Sequence, residues 1–270
     1  MHPDENGEIR LLAGTSHALG ILKRYKFFSE KKRPIKQKRL SYLCYPGFSL
    51  TTPEHWKMIL EDLWRIKKNY KVKDLHLHFG SNDTAKVSSL IFPRDDDVRQ
   101  AELDDAIING ISKEEYLGDI SDPLNILHLY PRDVLEEYDS LYDDLFARVD
   151  QLCTLLSPEH LGLYTTMGRY LKGRSSSIGY NRAAYYFRYR LHCREIKKRG
   201  ETGPEHHLLD LFEEQWTQGT DNLLKYHRAR EEWLVIFQEL YYPRFGGVHY
   251  CDGIYAKLLY HILETIPHTY

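Results

Sequence analysis

DLHLHFGSND, Asp74 to Asp83, is the stretch that decides the fold. Leu75, Leu77 and Phe79 alternate with His76 and His78, the two-residue period of a β-strand, and the run stops at the turn-forming group Gly80-Ser81-Asn82-Asp83. Working upstream, Leu40 to Tyr45 reads as another strand, stopped by Pro46-Gly47. Thr52-Pro53 then supplies a cap and a first-turn proline for a helix with an apolar stripe of Trp56, Ile59, Leu60, Leu63 and Trp64. Further upstream, Glu8 to Ala13 is a short apolar strand ending in Gly14-Thr15-Ser16-His17. A helix follows it, with Ala18, Ile21, Leu22 and Tyr25 at the three-and-four spacing of one buried face. Strand, helix, strand, helix, strand implies parallel strands joined by right-handed crossovers, with ligands bound beyond the carboxyl ends of the strands. All three strand-end loops fall there.

Downstream the rhythm is interrupted. Residues 85–138 are acidic and rich in turn signals, contain one candidate strand at Leu124 to Tyr130, and read as an insertion. It resumes with a helix from Ser140 to Leu156, a strand from Leu161 to Met167, and helices from Asn181 to Lys198 and from Glu205 to His227. A last strand is expected at Trp233 to Leu240, and a final helix at Asp252 to Glu264 turns Ile254, Leu258, Leu259 and Ile262 inward. At 270 residues the chain is only a little longer than a usual domain, so one domain over 1–270 is expected.

With 42% apolar residues the chain can bury a large core, which excludes a disordered chain. Cys44, Cys153, Cys193 and Cys251 have no paired spacing, and MHPDENGEIR lacks the apolar core of a signal peptide. An intracellular setting, cytoplasmic or nuclear, is the expectation. No run approaches the ~18 to 20 apolar residues of a membrane helix, so no membrane partner is expected. The net charge of −2 hides a basic segment, 23–39, with nine Lys or Arg. Such a run is most often a solvated helix end and loop. Lys23, Arg24, Lys32, Arg33, Lys38 and Arg39, interleaved with Tyr25, Phe27 and Phe28, are nonetheless the candidate contacts for RNA or a protein partner. The loop Arg169 to Arg182, with Lys172 and Arg174, either extends that patch or covers the active edge. His76 with His78 resembles a metal pair, but these are alternate residues of a strand, and His206 with His207 carries no more weight as a metal site. They read as structural or exposed, and no metal or cofactor is expected.

Chemistry concentrates at the strand ends. Ser16 lies between a strand and a helix N-terminus, where free amides and the helix dipole favour negative charge. Alone it would be a helix cap. Gly47 and Asn82 end the next two strands, and a backbone amide and a side-chain amide can both donate to one oxyanion. His249, in Gly246-Gly247-Val248-His249-Tyr250, precedes the last helix and can return to the same edge as a general base.

In this arrangement the chain resembles the SGNH (GDSL-type) hydrolases. Gly14-Thr15-Ser16-His17 is similar to the family's first block, usually Gly-Asp-Ser, and Gly47 to the glycine of its second. Gly80-Ser81-Asn82-Asp83 matches the third, usually Gly-x-Asn-Asp, and GGVHYCDGIYAK is similar to the last, usually Asp-x-x-His. The four matches run in order from Gly14 to His249. The resemblance implies a flavodoxin-like three-layer α/β sandwich with a mostly parallel five-stranded sheet. It also implies a serine esterase without cofactor, acting on a small ester: Ser16 as nucleophile, His249 as base, and the Ser16 amide, Gly47 and Asn82 as oxyanion donors. Two departures stand out: Thr15 replaces the first-block acid, and Gly246 stands where the acid that orients the histidine belongs. Losing that acid costs up to about 10⁴ in rate when nothing substitutes. Asp252, close by, reads as the cap of the last helix. The alternative is therefore an inactive relative that serves as an RNA-binding or protein-binding scaffold.

Overall fold

The computed structural model describes residues 3–30, 40–91, 132–166, 176–198, 201–210 and 252–264. The element order is β1 (Glu8–Gly14), α1 (Ser16–Glu30), β2 (Ser41–Cys44), α2 (Pro53–Asn69), β3 (Lys71–His78), α3 (Ser81–Ile91), α4 (Arg132–Leu156), β4 (His160–Tyr164), α5 (Ser176–Lys198), β5 (Glu205–Leu209) and α6 (Asp252–Glu264). The five strands form one sheet in the order β2-β1-β3-β4-β5, and every pair is parallel. This is the expected α/β architecture. The order reverses between β1 and β3, so a crevice opens beside the carboxyl end of β1.

Alternation along each strand divides the residues between two helical layers. Ile9, Leu11, Ala13, Leu75, Leu77, Phe79, Leu161 and Leu163 pack with α2, α4 and α5 in one apolar core. Leu12 and Tyr164 pack on the other side with α1 and α6, through Ala18, Ile21, Leu258, Leu259 and Ile262. Each fully buried Leu or Ile contributes about 1.5–3 kcal/mol. The second face also carries polar groups. Arg10 donates from Nε to Asp74 Oδ2 at 3.1 Å across the β1–β3 pair and reaches the carbonyl of Leu263 at 3.3 Å, tying α6 to the sheet.

Several expectations change. Glu205–Leu209 is a strand, where the pattern predicts the start of a helix. Pairing with β4 decides it: from His160↔Glu205 to Tyr164↔Leu209 the ladder is parallel, so local helical spacing is overridden by tertiary hydrogen bonding. The expected last strand, Trp233 to Leu240, and the candidate strand Leu124 to Tyr130 lie outside the described residues. At its two ends the acidic segment 85–138 belongs to helices, α3 through Ile91 and α4 from Arg132, and 92–131 lie outside the described residues. Part of the loop expected at Arg169 to Arg182 is the first turns of α5, which starts at Ser176. Trp64 is 52% exposed rather than in the α2 stripe, and lies against Lys68 Nζ at 5.1 Å. Thr52 takes the N-cap position of α2 without a side-chain capping bond, and its hydroxyl instead accepts from Lys86 Nζ at 2.5 Å.

Candidate active site

The register places the three strand ends level. Gly14 is opposite Cys44 on one side and His78 on the other, so the loops after β1, β2 and β3 leave the sheet together. The Thr15 amide donates to the His78 carbonyl at 3.2 Å, and the Tyr45 amide donates to the Gly14 carbonyl at 2.8 Å. A Cβ on Gly14 would lie 2.7 Å from the His78 carbonyl oxygen, so glycine is required at this position by close backbone packing. At Gly80 the backbone has φ +98 and a Cβ would meet the Phe187 ring at 2.7 Å. Only glycine fits that turn.

Ser16 is the first residue of α1 and is half-buried. Thr15 provides the carbonyl that accepts from the Ala18 amide at 3.0 Å, and the Ser16 hydroxyl makes no hydrogen bond with a described residue. Ser16 thus does not act as the cap of α1 among the described residues. Thr15 is buried, and its hydroxyl has no partner among the described residues.

Gly47 is exposed, with φ +78, in the turn closed by the Phe48 amide donating to the Tyr45 carbonyl at 3.1 Å. Asn82 reaches that same turn. Its Nδ2 donates to the Phe48 carbonyl at 2.7 Å, one residue from Gly47. An amide nitrogen carries two hydrogens, so this bond fixes the plane of the side chain and leaves a second donor. Asp83 locks the arrangement. Its carboxylate accepts from Ser49 Oγ at 2.6 Å, the Thr51 amide at 3.0 Å, Thr51 Oγ1 at 2.9 Å and the Leu50 amide at 3.4 Å. The β2–α2 loop is therefore pinned to the N-terminus of α3, and Gly47 and Asn82 are held as one unit. Helices α1 and α3 both begin at this edge, and their N-terminal amides add positive potential.

Behind the edge, between the sheet and α6, lies a layer that the sequence pattern does not reveal. His17 Nδ1 is 3.2 Å from Tyr255 Oη, its ring is 5.2 Å from that of His78, and His78 stacks on Tyr164 at 5.4 Å. His76 Nδ1 is 2.8 Å from Tyr164 Oη. Burial lowers the pKa of His78 to about 4 and takes that of His76 well below its ordinary value, helped in the second case by Arg10. Both rings are neutral near pH 7 and structural, as one of the sequence readings had them, His76 meeting Tyr164 Oη through Nδ1 and His78 stacking on the Tyr164 ring.

The carboxylates of Asp83 and Asp210, at the ends of β3 and β5, are both engaged. Asp210 accepts from Thr165 Oγ1 at 3.1 Å and Arg188 Nε at 2.6 Å, and lies 2.7 Å from His192 Nε2. His249, Gly246, Lys172 and Arg174 lie outside the described residues. So do Lys32, Arg33, Lys38 and Arg39 of the basic segment; Lys23 is exposed, and Arg24 lies 5.6 Å from the Phe27 ring centre. Of the three aromatic side chains offered for base stacking, Phe28 is buried against α6 and only Phe27 is exposed. The amphipathic spacing of α1 turns Phe28 inward.

The strand register brings the loops after β1, β2 and β3, which lead to Ser16, Gly47 and Asn82, to one edge of the sheet. Sequence reasoning missed the clamp by Asp83, because the partners at Ser49 to Thr51 are more than thirty residues away. No protein-family model matches this chain, and no curated protein matches it.

Proposed function

We propose that this chain is a serine esterase or acyl hydrolase of the SGNH type, acting on a small ester. The observation that carries the reading is the bond from Asn82 to the Phe48 carbonyl, which sets a side-chain amide beside the Gly47 turn at the carboxyl edge where Ser16 begins α1. In this reading Ser16 Oγ attacks the ester carbonyl and His249 accepts its proton. The carbonyl oxygen becomes an oxyanion held by the Ser16 and Gly47 amides and the second hydrogen of Asn82. Collapse expels the alcohol, which takes the proton back from His249, and leaves an acyl group on Ser16. Water, deprotonated by the same imidazole, then releases the acid. Each oxyanion donor is worth about 10²–10³ in kcat. The test is turnover of short p-nitrophenyl esters by the wild type and by Ser16→Ala, His249→Ala and Asn82→Ala. Loss of activity in the first two and a fall of about 100-fold in the third support the reading. Hydrolysis that survives Ser16→Ala rejects it.

Gly246 favours a second reading, a scaffold that keeps the fold but not the chemistry. A well-folded wild type without turnover, but with salt-dependent RNA binding that weakens when Lys23 and Arg24 are neutralised, establishes it instead.

A further inference from the structure

We propose that His160, Glu205 and His207 form a binding site for a divalent transition ion of the zinc class, separate from the carboxyl edge. The strands place the ligands. His160 pairs with Glu205 and Gly162 with His207 across the parallel β4–β5 ladder, so the three side chains share one face at its amino end. That is the opposite end of the sheet from Ser16. One ligand atom from each residue lies within 4.8 Å of the other two. The imidazoles face different oxygens of the carboxylate, His160 Nδ1 at 3.4 Å from Glu205 Oε2 and His207 Nε2 at 3.8 Å from Glu205 Oε1. Ligands about 2.0–2.2 Å from a tetrahedral ion are roughly 3.3–3.6 Å apart, so the cluster is close to coordinating geometry.

A second observation points the same way. His160 Nδ1 and His207 Nε2 are both withdrawn from solvent and have no hydrogen-bond partner among the described residues. Imidazole nitrogens withdrawn from solvent without a hydrogen bond are costly, and two of them facing one carboxylate at 3.4 and 3.8 Å are what a shared cation would satisfy. Two histidines and one carboxylate are also a common ligand set for zinc, leaving a fourth position for water. The Glu205 side chain is 62% exposed, so an ion can enter from solvent. The ion would clip the five-residue strand β5, at the edge of the sheet among the described residues, to β4. This use of His207 differs from that of its neighbour: His206 turns to the other face and places Nδ1 2.5 Å from Glu195 Oε2.

The site is tested by titrating chelator-treated full-length protein with Co²⁺, read by its visible absorption, and with Zn²⁺, read by calorimetry. The expected result is one ion per chain with a Kd on the order of 1 µM or tighter. Binding should weaken at least about tenfold in His160→Ala and in His207→Ala, and stay unchanged in His206→Ala. Glu205→Gln, at an exposed position, covers the case in which a histidine variant fails to fold; it keeps the side-chain shape and should also weaken binding. Zn²⁺ should raise the Tm of the wild type and not that of His207→Ala. Absence of binding, or binding equal in wild type and Glu205→Gln, overturns the proposal.

Discussion

The two faces of the sheet are built from different materials. Towards α2, α4 and α5 it presents leucine, isoleucine, alanine and phenylalanine, and packs in a largely apolar core. Towards α1 and α6 the same strands present Arg10, Asp74, His76, His78 and Tyr164 among a smaller set of apolar side chains. The contrast teaches that burial was met in two ways. One face excludes water by packing, and the other keeps polar groups dry through neutral imidazoles and paired charges, which makes its stability depend on pH.

The comparison breaks most severely on the apolar side. Leu63→Ala, at a fully buried position of α2, should cost about 2–5 kcal/mol in urea unfolding, with little dependence on pH. Acid should break the other face. An unfolded histidine titrates near 6.5, whereas burial holds folded His78 at about 4. Between those values the unfolded chain takes up a proton that the folded chain refuses. Stability is therefore full above pH 6.5 and declines towards pH 4, by about 3 kcal/mol from His78, with His76 acting in the same direction. Chemical denaturation across this range should show the decline, and His78→Gln should flatten it.

A smaller effect sharpens the contrast. A Cβ at Gly162 would lie 2.2 Å from His76 Nδ1, the atom that meets Tyr164 Oη. Gly162→Ala should cost about 1–3 kcal/mol, because the buried ring must shift and give up its contact with Tyr164 Oη. Trp64→Ala should change stability by no more than about 0.5 kcal/mol, since Trp64 stands outside both layers.

The β1-α1-β2-α2-β3 half was legible because its apolar periods are regular and its turns carry Gly, Pro and Asn. From β3 that reading already fixes the edge where β1, β2 and β3 end at Gly14, Cys44 and His78, a few residues before Ser16, Gly47 and Asn82. Glu205–Leu209 was not legible, since five residues with two histidines have no strand signal until β4 lies beside them. The polar layer was hidden for a related reason. His76 and His78 alternate with leucines as solvent-facing residues do, and only α1 and α6 above them make that face an interior. Trp64 shows the converse, an apolar residue at the right spacing but one step beyond the contact line of the helix.

Covalent labelling tests most sharply the proposal that Ser16 is a nucleophile at this edge. The folded protein is treated with a fluorophosphonate probe and the modified peptide is located by mass spectrometry. One adduct is expected, on Ser16, absent in Ser16→Ala and strongly slowed in His249→Ala. An unlabelled protein, or an adduct on another residue that persists in Ser16→Ala, would contradict it.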